Sequence, residues 1–169
     1  KEEDASIQNN GIYVKQLEKE QNLEVAERKI KEVFSQQFQA GDMNYWVKTI
    51  NDLKIKAKAK TPEGAMYQRL QAYLSLAFYS ISNQLINAGK NIDAAYFVDL
   101  YTKADPTNSE GWYFSAILDA RNKNAKATED DLLKAVANGF NDKNRLMEQP
   151  EFKQLGAQIN LSKIENKMK

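Results

Sequence analysis

Apolar positions recur at intervals of three and four along most of the chain, and nowhere with a sustained interval of two. That spacing puts side chains on one face of an α-helix, whereas a half-buried strand would alternate. Over residues 23–39, Ala26, Ile30, Val33, Phe34 and Phe38 make such a face. Gly41 and Asp42 interrupt it and start a second pattern, carried by Met43, Trp46, Val47, Ile50, Leu53 and Ala57. Thr61-Pro62 ends that pattern and opens the next, because proline at the first helical position lacks only an N–H that would have no partner there. The third pattern is the strongest. Met66, Leu70, Tyr73, Leu74, Ala77, Phe78, Ile81, Leu85 and Ile86 form a broad apolar face, the width expected of a helix contacted on more than one side.

Gly89 closes that helix, and a fourth is predicted over 92–103, stopped by Asp105-Pro106. Asn108 or Ser109 can cap a fifth, carrying Trp112, Tyr113, Ala116, Ile117 and Ala120. Thr128-Glu129-Asp130-Asp131 is expected to open a sixth. Thr128 would be its cap, the three acids would lie beside the helix's positive end, and Leu132, Leu133, Val136 and Phe140 would face inward. Shorter helical pieces are expected at 145–148, 151–155 and 159–167. Residues 1–11 are polar and read as a flexible lead-in to a single domain over 12–169. The fold class is therefore all-α.

Composition sharpens this picture mainly by exclusion. With 7 Gly and 3 Pro in 169 residues, the chain has few breakers, which suits long helices. Its 42% hydrophobic and 28% charged residues are those of a folded protein with a real core. A net charge of +1 gives no global attraction to nucleic acid, and no stretch reaches the roughly 20 apolar residues of a membrane-spanning helix. There is no Cys and no His, which removes disulfides, thiol nucleophiles, imidazole bases and the commonest zinc sites. Carboxylate dyads, lysine Schiff bases and calcium sites remain open. A non-enzymatic role with no cofactor and no metal is the expectation.

An internal repeat adds what composition does not. Phe78, Ile81, Ser82 and Leu85 are followed by a turn, then by Ala94, Val98 and a terminating Pro106. Thirty-four residues after Phe78, Ser82, Val98 and Tyr101 stand Trp112, Ala116, Leu132 and Ala135. This period and sequence of sizes resembles the tetratricopeptide repeat, over about 23–157 and most closely over 66–137. Ser82 and Ala94 are small enough to let two helices of a hairpin approach, and Phe78 and Trp112 would fill the space between hairpins. Ala40-Gly41 matches Ala88-Gly89 as a hairpin turn, but there the spacing is 48 and Trp46 replaces the small residue. Asp119 and Thr128 stand where the family has a large and a small residue. Ala137-Asn138-Gly139-Phe140 and Gln149-Pro150-Glu151-Phe152 look like the closing segment of some members, so 143–167 are assigned a capping role through Phe152, Leu155 and Ile159.

The resemblance implies a right-handed stack of about three antiparallel hairpins, a solenoid whose concave face binds a peptide or protein partner. Facing that groove would be Tyr79, Asn83, Ile86 and Asn87 from one hairpin and Glu110, Tyr113, Ile117 and Arg121 from the next. The chaperone-binding members clamp a terminal carboxylate with Lys, Asn and Arg. Here Tyr79 and Tyr113 replace basic residues and Asn83 alone fits, so an apolar or mixed peptide suits the groove better.

Other features have simpler explanations. Lys54, Lys56, Lys58 and Lys60 could contact an anionic surface, but they sit at a helix C-terminus and alternate between faces, as solvated dipole-complementing residues do. Glu129, Asp130 and Asp131 lack the glycine-bearing loop of a calcium site. Trp46 and Trp112 read as core. A start on Lys1 without Met suits a chain cut from a signal or lipid-anchored leader. That favours an extracytoplasmic, envelope-associated setting, with an accessory role in assembly or glycan handling as one alternative and a carboxylate-based enzyme as another.

Overall fold

In a computed structural model, which describes the backbone of residues 2–169 and the side chains of residues 18–169, the chain is all-helical. The helices are α1 Glu2–Ala40, α2 Met43–Lys56, α3 Pro62–Asn87, α4 Asn91–Ala104 and α5 Ser109–Arg121. They continue as α6 Ala125–Ala137, α7 Lys143–Glu148, α8 Pro150–Leu155 and α9 Leu161–Glu165, with a 3₁₀ turn, Gly156–Gln158, before the last. No strand occurs among the described residues. The side chains of the expected flexible lead-in, 1–11, lie outside the described residues. Helix α1 begins well before the apolar pattern at 23–39. The segment ahead of it is rich in Glu, Lys and Gln, which are good helix formers, and has no proline.

The chain divides into two compact units, Lys1–Tyr73 and Leu74–Lys169. In the first, Asp42 has extended backbone and its carboxylate accepts the Tyr45 N–H at 2.8 Å, the cap that starts α2. Gly41 before it has no room for a side chain, since a Cβ would lie 2.7 Å from the Gln37 carbonyl oxygen. Trp46 is fully buried, stacked on Phe38 at 5.3 Å and tilted against Phe34 at 5.8 Å. Ile50, Leu53, Met66 and Leu70 complete this core. Thr61 accepts the Gly64 N–H at 3.0 Å and Pro62 is the first residue of α3, as the sequence pattern predicts.

In the second unit, Gly89 leaves α3 with a φ of +72°, a left-handed conformation that a side chain would strain. Asn108 caps α5 by accepting the Glu110 N–H at 3.1 Å. The small residues Ser82 and Ala94 are fully buried, as are Phe78, Leu100, Leu132 and Ala135, with Val98 and Tyr101 nearly so. Phe78 meets Phe97 across α3 and α4, and Tyr79 meets Tyr101. Phe152, Leu155 and Ile159 are buried with Leu146 and Ile164, so the C-terminal helices belong to the core of this unit.

Helix α6 starts one turn earlier than expected. Its cap is Asn124, whose side chain accepts the Ala127 N–H at 3.1 Å. Thr128 lies inside the helix, fully buried, and donates its hydroxyl to the Asn124 carbonyl at 2.7 Å. Asn is as good a cap as Thr, and using it lets Thr128 face the core. The three acids consequently shift into the body of the helix, and Asp131 becomes buried.

Candidate functional site

The eight groove residues expected from the sequence all lie in the second unit, on α3 and α5, in two different environments. On α3, Tyr79 is 36% exposed. Its ring stacks on Phe114 at 5.6 Å and is met edge-on by Tyr101 at 6.2 Å, so it is held rigidly with one side toward solvent. Asn83 is half-buried and Asn87 exposed, on the same side of the helix, whereas Ile86 is buried. No charged residue occurs between Arg69 and Lys90, which makes this face of α3 electrically neutral.

On α5 the expected residues do not line an open groove. Tyr113 is fully buried, stacked on Phe140 at 4.8 Å and met edge-on by Phe152 at 5.6 Å. Its hydroxyl donates to the Gln149 side-chain oxygen at 2.8 Å and reaches the Arg145 carbonyl at 3.3 Å. Burial pushes this phenol well above the usual range, and the Arg145 guanidinium, 4.1 Å from the ring centre, opposes the shift only in part. Arg145 bonds both oxygens of Glu110, one at 2.8 Å, a fork that raises its own proton affinity further. Arg121 donates to the Ile86 carbonyl at 3.0 Å and to Asn91 at 2.7 Å, with Glu151 at 3.5 Å. Ile117 is buried. The segment from Phe140 to Phe152 thus covers the inner face of α5.

Sequence reading placed Phe152 in the cap but did not find Arg145, Gln149 or Glu151 as partners of α5. Their contacts span 30 residues or more and obey no period, so no local signal existed.

A second cluster joins α5 to α6. Ser115 donates to the Asp131 carboxyl at 2.7 Å. Asp131 is only 9% exposed, and its pKa is pushed up from 3.8 to about 7. Desolvation is the largest cause, followed by the neighbouring Asp119 carboxyl, while Ser115 and Lys134 pull the other way. Ser115 and Asp119, but not Asp131, line a cleft of about 350 Å³ between α4 and α5, whose wall includes Trp112. Trp112 is half-buried rather than core, donating its indole N–H to the Pro106 carbonyl at 2.8 Å beneath the Lys134 ammonium at 4.6 Å. A signal for Asp131 was present in the sequence: it sits three residues after Thr128 and four before Ala135, on the buried face.

Comparison with protein-family models, with curated proteins and with solved structures finds no match to this chain.

Proposed function

We propose that this chain is a non-enzymatic scaffold that binds a peptide or protein partner, with hairpins α3–α4 and α5–α6 built on the tetratricopeptide pattern. The observation that carries this reading is the neutral, rigid face of α3. There Tyr79 is pinned by Phe114 and Tyr101, with Asn83 and Asn87 beside it. A fixed aromatic ring flanked by side-chain amides buries area at little cost in conformational entropy and offers donors and acceptors to a neutral ligand. A charged partner would lose hydration here without gaining a counter-charge, so binding is expected to change little with salt.

The test is a crosslinking pull-down from the native source with the parent and with Tyr79→Ala, both checked for fold by circular dichroism. Partners captured by the parent and lost by the folded variant support the reading, and equal capture by both refutes it. Tyr113 is unsuitable for this purpose, because truncating a fully buried ring would damage the core.

A carboxylate-based enzyme is the second reading, motivated by the raised Asp131 beside the α4–α5 cleft. It ranks below the first because Asp131 itself does not line that cleft.

A further inference from the structure

We propose that the cleft between the C-terminal end of α6 and the turn after α9 binds a free amphipathic anion. The ligand class is a medium-chain carboxylate, its chain on Leu133, Val136 and Phe140 and its head group at Lys167 and Lys169. This cleft shares no residue with the exposed face of α3. Its volume is about 490 Å³, within the range of small-molecule sites. The two elements that form it are fixed to each other. Ile164 of α9 is fully buried, and the Lys163 ammonium bonds Glu129 of α6 at 3.1 Å.

The floor is apolar and incompletely covered. Leu132 and Ala135 of α6 are fully buried, whereas Leu133 and Val136 are half-buried and line the cleft, so part of their apolar surface stays open. Gly139 and Phe140 close α6 by donating their N–H groups to the Val136 and Ala135 carbonyls, both at 3.0 Å. That paired closure needs the left-handed φ of +101° at Gly139, and it returns Phe140 to the last turn of the helix.

The rim is cationic. The Lys167 N–H donates to the Ile164 carbonyl at 3.1 Å, which holds the chain in a helical turn past α9 and brings Lys167 to the cleft. Among the described residues, neither the Lys167 nor the Lys169 ammonium has an ion-pair partner, and no acidic side chain lines the cleft. Asn141 adds a side-chain amide that can donate to the same head group. A small anion would gain little from such exposed lysines, and an uncharged chain would leave them unused. A carboxylate with an alkyl chain satisfies both parts, the chain supplying affinity and the charge fixing its orientation.

The test is a titration with octanoate and with decanoate, below their micelle concentrations, followed by backbone amide chemical shifts. The largest changes should fall within 133–141 and 167–169. Decanoate should bind about four- to fifteenfold more tightly than octanoate, the range set by how fully an open cleft covers two methylenes. Both lysines are exposed, so Lys167→Gln/Lys169→Gln changes charge without disturbing the core. It should weaken decanoate about threefold or more in low salt, a difference that fades in high salt. No binding at millimolar decanoate would overturn the proposal, as would shifts centred elsewhere or an affinity indifferent to chain length or to the two lysines. Flotation with phosphatidylglycerol vesicles separates the other source of the same chemistry, and capture by vesicles without binding of free decanoate also overturns it.

Discussion

Replacing Phe152 with alanine removes a ring that is fully buried in the second unit, where it meets Tyr113 edge-on at 5.6 Å. Deleting a buried phenylalanine costs about 3–5 kcal/mol, part of it lost transfer energy and part the cavity left behind. The upper half of that range is expected here. The surrounding groups are fixed by the Glu110–Arg145 fork and by the Tyr113 hydroxyl bond to Gln149, so the site collapses poorly. For a chain of this length, 1 kcal/mol corresponds to about 2–4 °C in melting temperature, which puts the fall at about 8–20 °C. The assay is thermal unfolding followed by far-ultraviolet circular dichroism. Tyr113→Phe serves as the internal scale: it keeps the ring and loses only the hydroxyl, so about 1 kcal/mol and a few degrees are expected. If Phe152→Ala melts within about 2 °C of the parent, the C-terminal segment is not part of the core and the account of α5 fails.

Three further substitutions test local arguments. Gly64→Ala should destabilise by about 1–3 kcal/mol in urea denaturation despite alanine's better helix propensity, because the new Cβ would lie 1.8 Å from the Ala59 carbonyl oxygen and the backbone must move. Asp42→Ala removes the acceptor of the Tyr45 N–H and should cost about 1 kcal/mol, read as a lower urea midpoint, whereas Asp42→Ser should restore most of it. Ser82→Ala should leave stability unchanged or raise it by about 1 kcal/mol, because the Ser82 hydroxyl is fully buried with no hydrogen-bond partner among the described residues. A clear loss of stability in that last variant would point to a bonded hydroxyl and a different packing of α3.

The helices were legible because each is marked by a physical signal that acts locally. Trp46, Ile50 and Leu53 share a buried face, Thr61-Pro62 starts α3 where a cap followed by proline should, and Gly89 ends it in the left-handed region. The errors fall where two local signals were equally good or where contacts are remote. Asn124 and Thr128 are both competent caps one turn apart, and only the burial of Thr128 decides between them. That single choice carried Asp131 from a solvated helix start to a buried position where Ser115 bonds it. The inner face of α5 was misjudged for the second reason. The pattern that placed Tyr113 beside Ile117 was correct as helix geometry but held no information about what covers them.

The covering of α5 also sets the terms of competition for that surface. Phe140, Arg145, Gln149 and Phe152 are joined to α5 by the chain itself, so they contact Tyr113 and Glu110 as an intramolecular ligand. A short tether presents such a ligand at an effective concentration in the millimolar range. A free peptide making the same contacts would have to reach that concentration merely to share the site. An external partner of the kind proposed would therefore reach the part-exposed Tyr79 ring on α3 more readily than α5, and any partner that does win α5 must offer more than the chain already gives itself.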